Sequence, residues 1–179
     1  MPATDGGKAM NEIVATVNHL WDGDFAYEGE VFSFPTSTSV PKPVQKNPPV
    51  WVAARSPESH DFAVANGANV MVTPLMKGDE EVEDLVNKYE TAIANHPEVT
   101  ERPDIMVLRH TYVHDESDPE GWRPAAEGVN KFYRTFDAWF GNKTDPVDGF
   151  LEPSPEAKFA ERPEFTPESL HKTAMIGTA

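Results

Sequence analysis

Arg55-Ser56-Pro57-Glu58-Ser59 is the run of this sequence best suited to hold an anion. Ser56 occupies an N-cap position, Pro57 the first helical position and Glu58 the first turn. A helix start presents free N–H groups and the positive end of the helix dipole to a negative ligand. The same residues also make an ordinary cap, and Glu58 and Asp61 already place negative charge there. Arg109 and His110 are the next chemically capable pair. On a strand they point to opposite faces, one toward a site and the other toward packed helices. His110 is the candidate catalytic histidine, although a lone strand histidine is more often structural. His60 and His114 read as solvated turn residues. Asp79-Glu80-Glu81 reads as a helix-start charge cluster that favours the dipole and not as a metal site. The chain has no cysteine, which excludes disulfides, thiolate metal sites and cysteine nucleophiles.

The elements that must position these groups are legible from periodicity. Val50 to Ala54 is a short apolar run suited to a buried strand. A helix follows from the Ser56 cap and stops at Gly67, and Val70-Met71-Val72 is a second strand. Asp79 to Asn95 is an amphipathic helix carrying Val82, Leu85, Val86, Tyr89 and Ile93. Ile105 to Val113 is predicted as one third strand. A third helix, capped by Ser117 or Asp118, runs through Gly141 with Trp122, Ala126, Val129, Tyr133, Phe136 and Phe140 in register, an aromatic stripe that reads as packing. Before this core, Lys8 to Trp21 is an amphipathic helix, Phe25 to Phe34 a small hairpin about Glu28-Gly29, and Thr36 to Asn47 a connector. From Asn142 onward prolines interrupt the chain, and only Glu168 to Met175 looks briefly helical. Strands and helices that alternate in this way predict an α/β fold with a parallel sheet or a (β/α) barrel. Three parallel strands alone would leave long apolar edges, so the sequence reads as part of a larger sheet.

With 179 residues and a formal charge of −15, from 15 basic and 30 acidic residues, the chain repels phosphate backbones, and nucleic acid is excluded as the expected partner. A small phosphate held locally is still allowed. No apolar run approaches the roughly 20 residues of a membrane span. Met1 to Lys8 lacks the pattern of a signal peptide. A cytoplasmic protein is the expectation.

Phe25 to Phe34, Val40-Pro41-Lys42-Pro43-Val44-Gln45 and Pro48 to Ala54 resemble, in order and spacing, the bacterial luciferase-like, flavin-dependent monooxygenases. The resemblance continues through Ser56-Pro57-Glu58-Ser59, Gly67 to Pro74, Arg109 to Val113 and Met175-Ile176-Gly177-Thr178, and is weakest from Asn142 to Pro167. It implies a partial (β/α)8 TIM barrel: one domain over residues 1–179, with 1–47 as helix, hairpin and connector, 48–141 as a βαβαβα barrel segment and 142–179 as a Pro-rich region. In the family this stretch carries strands five to seven. Strands one to four and eight would be missing, and a chain so cut is expected to show little or no oxygenation by itself.

The resemblance further implies reduced FMN supplied by a flavin reductase, O2 and a small organic substrate. The flavin phosphate would fall to Arg55, Ser56 and Ser59, and the ring would lie near Thr73 and Pro74. The luciferases have a carboxylate where this chain has Arg55, a departure that favours phosphate because guanidinium pairs with it bidentately. Two other readings stand beside this one. The first is a deazaflavin (F420)-dependent hydride-transfer enzyme of the same superfamily. The second is a non-catalytic remnant or interaction subunit whose strand edges pair with a homo-oligomeric copy or a complementing barrel segment.

Overall fold

A computed structural model describes residues 6–140 and 146–179 of the chain. They fall into two compact units, Met1–Pro48 and Pro49–Ala179. In the first, helix α1 (Gly6–Asp22) precedes strands β1 (Phe25–Glu28) and β2 (Ser33–Ser37), which pair antiparallel. The hairpin loop is closed by a helix carboxylate. Glu12 accepts the backbone N–H groups of Glu30, Val31 and Phe32 at 2.8, 3.0 and 2.9 Å.

The second unit holds the predicted alternation. Strands β3 (Trp51–Ala53), β4 (Asn69–Val72) and β5 (Ile105–Val107) form a parallel sheet in that order, with helices α2 (Pro57–Ala65) and α3 (Asp79–Asn95) as the crossovers. Period-two side-chain alternation gives the sheet two unlike faces. Val52, Val70 and Val72 are buried, as are Ala63, Val64, Leu85, Tyr89 and Ala92 of the two helices. On the alternate positions Trp51 and Met106 are exposed, and so is Leu108 just beyond β5. Gly67, at φ +62°, takes the left-handed conformation with which the α2 helix ends.

The single third strand expected over Ile105 to Val113 is not what forms. The chain makes β5, leaves the strand at Leu108, and then makes β6 (Thr111–His114), which pairs in parallel with β7 (Met175–Thr178) in a separate sheet. The cause is a long-range clasp on the intervening Arg109. Its guanidinium donates to Asp79 Oδ1 at 2.6 Å and to the Thr173 carbonyl at 2.8 Å, while the His110 carbonyl accepts the Met175 N–H at 2.9 Å.

Helix α4 (Arg123–Phe140) also starts later than the Ser117 or Asp118 cap predicts. Those residues make local turns instead. Asp115 Oδ1 accepts from the Ser117 N–H at 2.8 Å, and Asp118 Oδ1 from the Glu120 N–H at 3.1 Å. Gly141, the expected end of the helix, lies outside the described residues, as does the side chain of Phe140.

The Pro-rich region is more ordered than its composition implies. Helix α5 (Glu156–Ala160), a 3-10 turn (Pro163–Phe165), helix α6 (Pro167–Thr173) and β7 follow one another. Phe159, Phe165, Leu170 and Ile176 from this region close a core with Ala126, Val129 and Tyr133 of α4. The aromatic stripe of α4 therefore packs, in large part, on the C-terminal segment. Trp122 stacks on His171 with ring centroids 4.4 Å apart.

Candidate functional site

Three loops leave the C-terminal edge of the β3-β4-β5 sheet: Arg55 to Ser56 after β3, Thr73 to Gly78 after β4, and Leu108 to His110 after β5. In parallel α/β sheets this is the edge at which ligands bind.

The first loop is a reciprocal cap. Ser56 is the N-cap of α2, its hydroxyl accepting the Ser59 N–H at 3.3 Å. The Ser59 hydroxyl accepts the backbone N–H groups of Arg55 and Ser56 at 2.9 and 3.0 Å, and donates to the Ser56 carbonyl at 2.8 Å. Arg55, Ser56 and Ser59 are thus brought together as one hydrogen-bonded turn. The Glu58 carboxylate lies below its ordinary pKa because it accepts its own N–H and the Ser56 hydroxyl. A negative group of the protein itself therefore rests at this helix start.

The Arg55 side chain leaves the turn and reaches the second loop. It donates to the Thr73 carbonyl at 3.0 Å and to Glu81 Oε1, while more than half of it stays exposed. Pro74, next in the chain, is buried. Thr73 therefore joins the site through its backbone oxygen.

Glu81 is the residue that sequence reasoning passed over. The sequence reads it as part of a helix-start charge cluster, and in the fold it is buried at 8% exposure. One carboxylate oxygen binds Arg55. The other accepts the N–H groups of Leu75, Met76 and Lys77 at 2.8, 3.1 and 3.2 Å. Burial pushes its pKa up, but the Arg55 guanidinium and the three N–H donors outweigh burial and hold it below the usual carboxylate range. The signal for it was present only as an acid three residues into a helix after a Gly-containing loop.

Gly78 makes that loop possible. Its φ is +59°, and a Cβ there would sit 3.0 Å from the Thr173 backbone. A side chain is therefore excluded twice, by conformation and by space.

His110 lies in the third loop, outside any strand. Its ring meets Phe132 and Tyr133 of α4 edge-on, at centroid distances of 4.8 and 5.8 Å. Burial lowers its pKa, so the ring is neutral near pH 7. Tyr133 in turn donates its hydroxyl to the Leu75 carbonyl. His110 is thereby connected to the Arg55 turn through Tyr133, Leu75 and Glu81.

His60 is not solvated. It is fully buried inside α2, with Nδ1 2.9 Å from the Ser56 carbonyl, which requires the proton on Nδ1. The sequence placed it at a turn, but it shares the inward face of the helix with Ala63 and Val64. His114 ends β6, half-buried, with Nδ1 3.2 Å from the Asp115 carbonyl. Among the described residues no group of three or more His, Cys, Asp or Glu is placed to hold a metal, and no helix is long and apolar enough to cross a membrane.

Comparison with known proteins agrees with this architecture. The model of the luciferase-like monooxygenase family matches residues 1–179. A flavin-dependent trigonelline monooxygenase, oxygenase component, of Acinetobacter baylyi is 45% identical over 180 residues, covering 100% of this chain and 49% of that protein. The chain thus spans about half the length of the curated relative it matches. Among solved structures, an F420-dependent secondary alcohol dehydrogenase superposes with a TM-score of 0.64 at 16% identity, over 93% of this chain and 47% of that one. The monooxygenase RslO1 from Streptomyces bottropensis does so with a TM-score of 0.54 at 20% identity, over 96% and 63%. These structural likenesses speak for the fold, an α/β arrangement that forms part of a (β/α)8 barrel. The match of the family model to residues 1–179 shows that the chain belongs to the luciferase-like monooxygenase family.

Proposed function

We propose that the chain carries the flavin-phosphate end of the active site of an FMN-dependent monooxygenase, the oxygenase component of a two-component system whose reduced flavin comes from a separate reductase. The observation that carries this reading is the Arg55 guanidinium, steered to the C-terminal edge of the sheet by the Thr73 carbonyl and Glu81 while more than half of it stays open to solvent. A cation held there beside a helix start fits a phosphate dianion. Of the five N–H donors of a guanidinium, those not turned to Thr73 and Glu81 are left for the ligand.

Arg55 would bind the phosphate, and the Ser56 hydroxyl would become a second donor by turning from Glu58 to the ligand. Ser59 would keep the turn in shape through its bonds to the Arg55 and Ser56 N–H groups. The stretch around Thr73 and Pro74 would border the ring. His110, neutral and set against aromatic rings, would serve as a proton acceptor if substrate reaches it. Bound reduced FMN supplies the electrons that activate O2, so that one oxygen atom enters the substrate and the other leaves as water. The substrate is a small organic molecule, and the 45% identical relative makes trigonelline the first compound to assay. A cytoplasmic setting goes with a reductase partner.

The deazaflavin alternative rests on a structural likeness at 16% identity and is the weaker reading. The exposed apolar side chains Trp51, Met106, Leu108, Tyr112 and Val113 favour a complementing barrel segment as a further partner. Titrating the chain with FMN and with riboflavin, followed by flavin fluorescence, tests the proposal. FMN is expected to bind at least about tenfold more tightly, the order expected of a charge-assisted phosphate contact. Equal affinities would overturn the phosphate assignment.

A further inference from the structure

We infer that Glu81 is a positioning residue for flavin-phosphate recognition, acting through Arg55. The inference rests on the phosphate reading of Arg55 given above. Glu81 lies on α3, yet its carboxylate is where the loops after β3 and β4 meet. Oε1 takes the Arg55 guanidinium, and Oε2 gathers three consecutive N–H groups, Leu75 to Lys77. The same loop is fixed from the other side, where Tyr133 donates to the Leu75 carbonyl.

This arrangement orients a cation without cancelling it. Four donors share the one negative charge of Glu81, so little of that charge is left to repel a phosphate. The Arg55 side chain stays more than half exposed, and the guanidinium plane is set by two fixed acceptors, Thr73 O and Glu81 Oε1. A long side chain ordered before the ligand arrives loses less rotamer freedom on binding. Freeing Arg55 from Glu81 would add some attraction for phosphate. That gain is screened at a side chain more than half exposed, so lost orientation dominates.

The test is a binding cycle on the whole chain, with FMN and riboflavin as probes and the ratio of their dissociation constants as the readout. Glu81→Gln keeps the shape and removes the charge. It is expected to weaken FMN binding about fivefold, with riboflavin unmoved. In an Arg55→Gln background the same change is expected to have no effect on the ratio, because the residue through which Glu81 acts is gone. A general loss of structure would move both flavins together, and that result overturns the inference. If the wild-type chain fails to distinguish FMN from riboflavin, the phosphate reading falls and takes this inference with it. If the wild-type chain distinguishes them and Glu81→Gln does so equally well, only this inference falls. Should Glu81→Gln fail to fold, Glu81→Asp, with its shortened carboxylate, is expected to lower the ratio by a smaller factor. An unchanged ratio in that variant overturns the inference.

Discussion

The guanidinium of Arg55 and the carboxylate of Glu81 are hydrogen-bonded although 26 residues separate them. That single pair joins the helix-cap turn after β3, the loop after β4 and the start of α3. Removing Glu81 therefore costs more than one ion pair. Three backbone N–H groups lose their acceptor, and an exposed arginine loses its anchor. Glu81→Ala is expected to lower stability by roughly 2 kcal/mol, a figure kept modest because Arg55 is largely solvated. The midpoint of urea unfolding, at unchanged m-value, checks it.

The same group predicts a pH dependence. The native pKa of Glu81 is depressed, so its stabilisation is complete above the ordinary value of 4.5 and is lost as pH falls through the lower native value. The stability gap between wild type and Glu81→Gln should hold constant from neutral pH down to about 5 and shrink below 4.5. Urea midpoints measured across that range decide it; a gap that widens in acid would contradict the assignment.

Gly78→Ala combines a left-handed φ with a Cβ set against the Thr173 backbone. A loss of about 2 kcal/mol is expected, in the range of local backbone strain. Thermal unfolding of the variant measures it, and a neutral substitution would show that the loop can shift freely.

His60 fills buried space and fixes the Ser56 carbonyl. His60→Ala is expected to cost about 3 kcal/mol, as for other large side chains deleted from a core. Equilibrium unfolding checks this. A change within 0.5 kcal/mol, the usual span of a surface substitution, would contradict the buried placement.

Much of the fold around β3, α2 and β4 could be read directly from the sequence, because its signals are local. The Ser56-Pro57-Glu58-Ser59 cap, the Gly67 stop and the two apolar runs each act within a few residues. The break between β5 and β6 could not be read, since Ile105 to Val113 is uniformly strand-like. What ends β5 is the reach of Arg109 to Asp79 and to Thr173, across 30 and 64 residues. Distance also hid the role of Glu81. In sequence it is one of three adjacent acids, and only the folded loop turns Leu75, Met76 and Lys77 toward it. Tyr133 packs in the core as its place in the helix predicts, and its bond to the Leu75 carbonyl has no local signature at all.

Glu58 offers a further check on the anion site. Its carboxylate is held ionised by its own N–H and the Ser56 hydroxyl, at the helix start that the phosphate would approach. Glu58→Gln should therefore tighten FMN binding about threefold and leave riboflavin unchanged, the scale of one screened like-charge contact. Isothermal titration with both flavins reads this directly, and weaker FMN binding would count against a phosphate at this turn.

The central claim is that Arg55 binds the flavin phosphate, and the most direct measurement is the affinity of Arg55→Ala for FMN beside its affinity for riboflavin. The account predicts that the FMN dissociation constant rises about tenfold or more while that for riboflavin stays where it is, the loss expected for a charged hydrogen-bonding contact. An FMN affinity untouched by the substitution would contradict it.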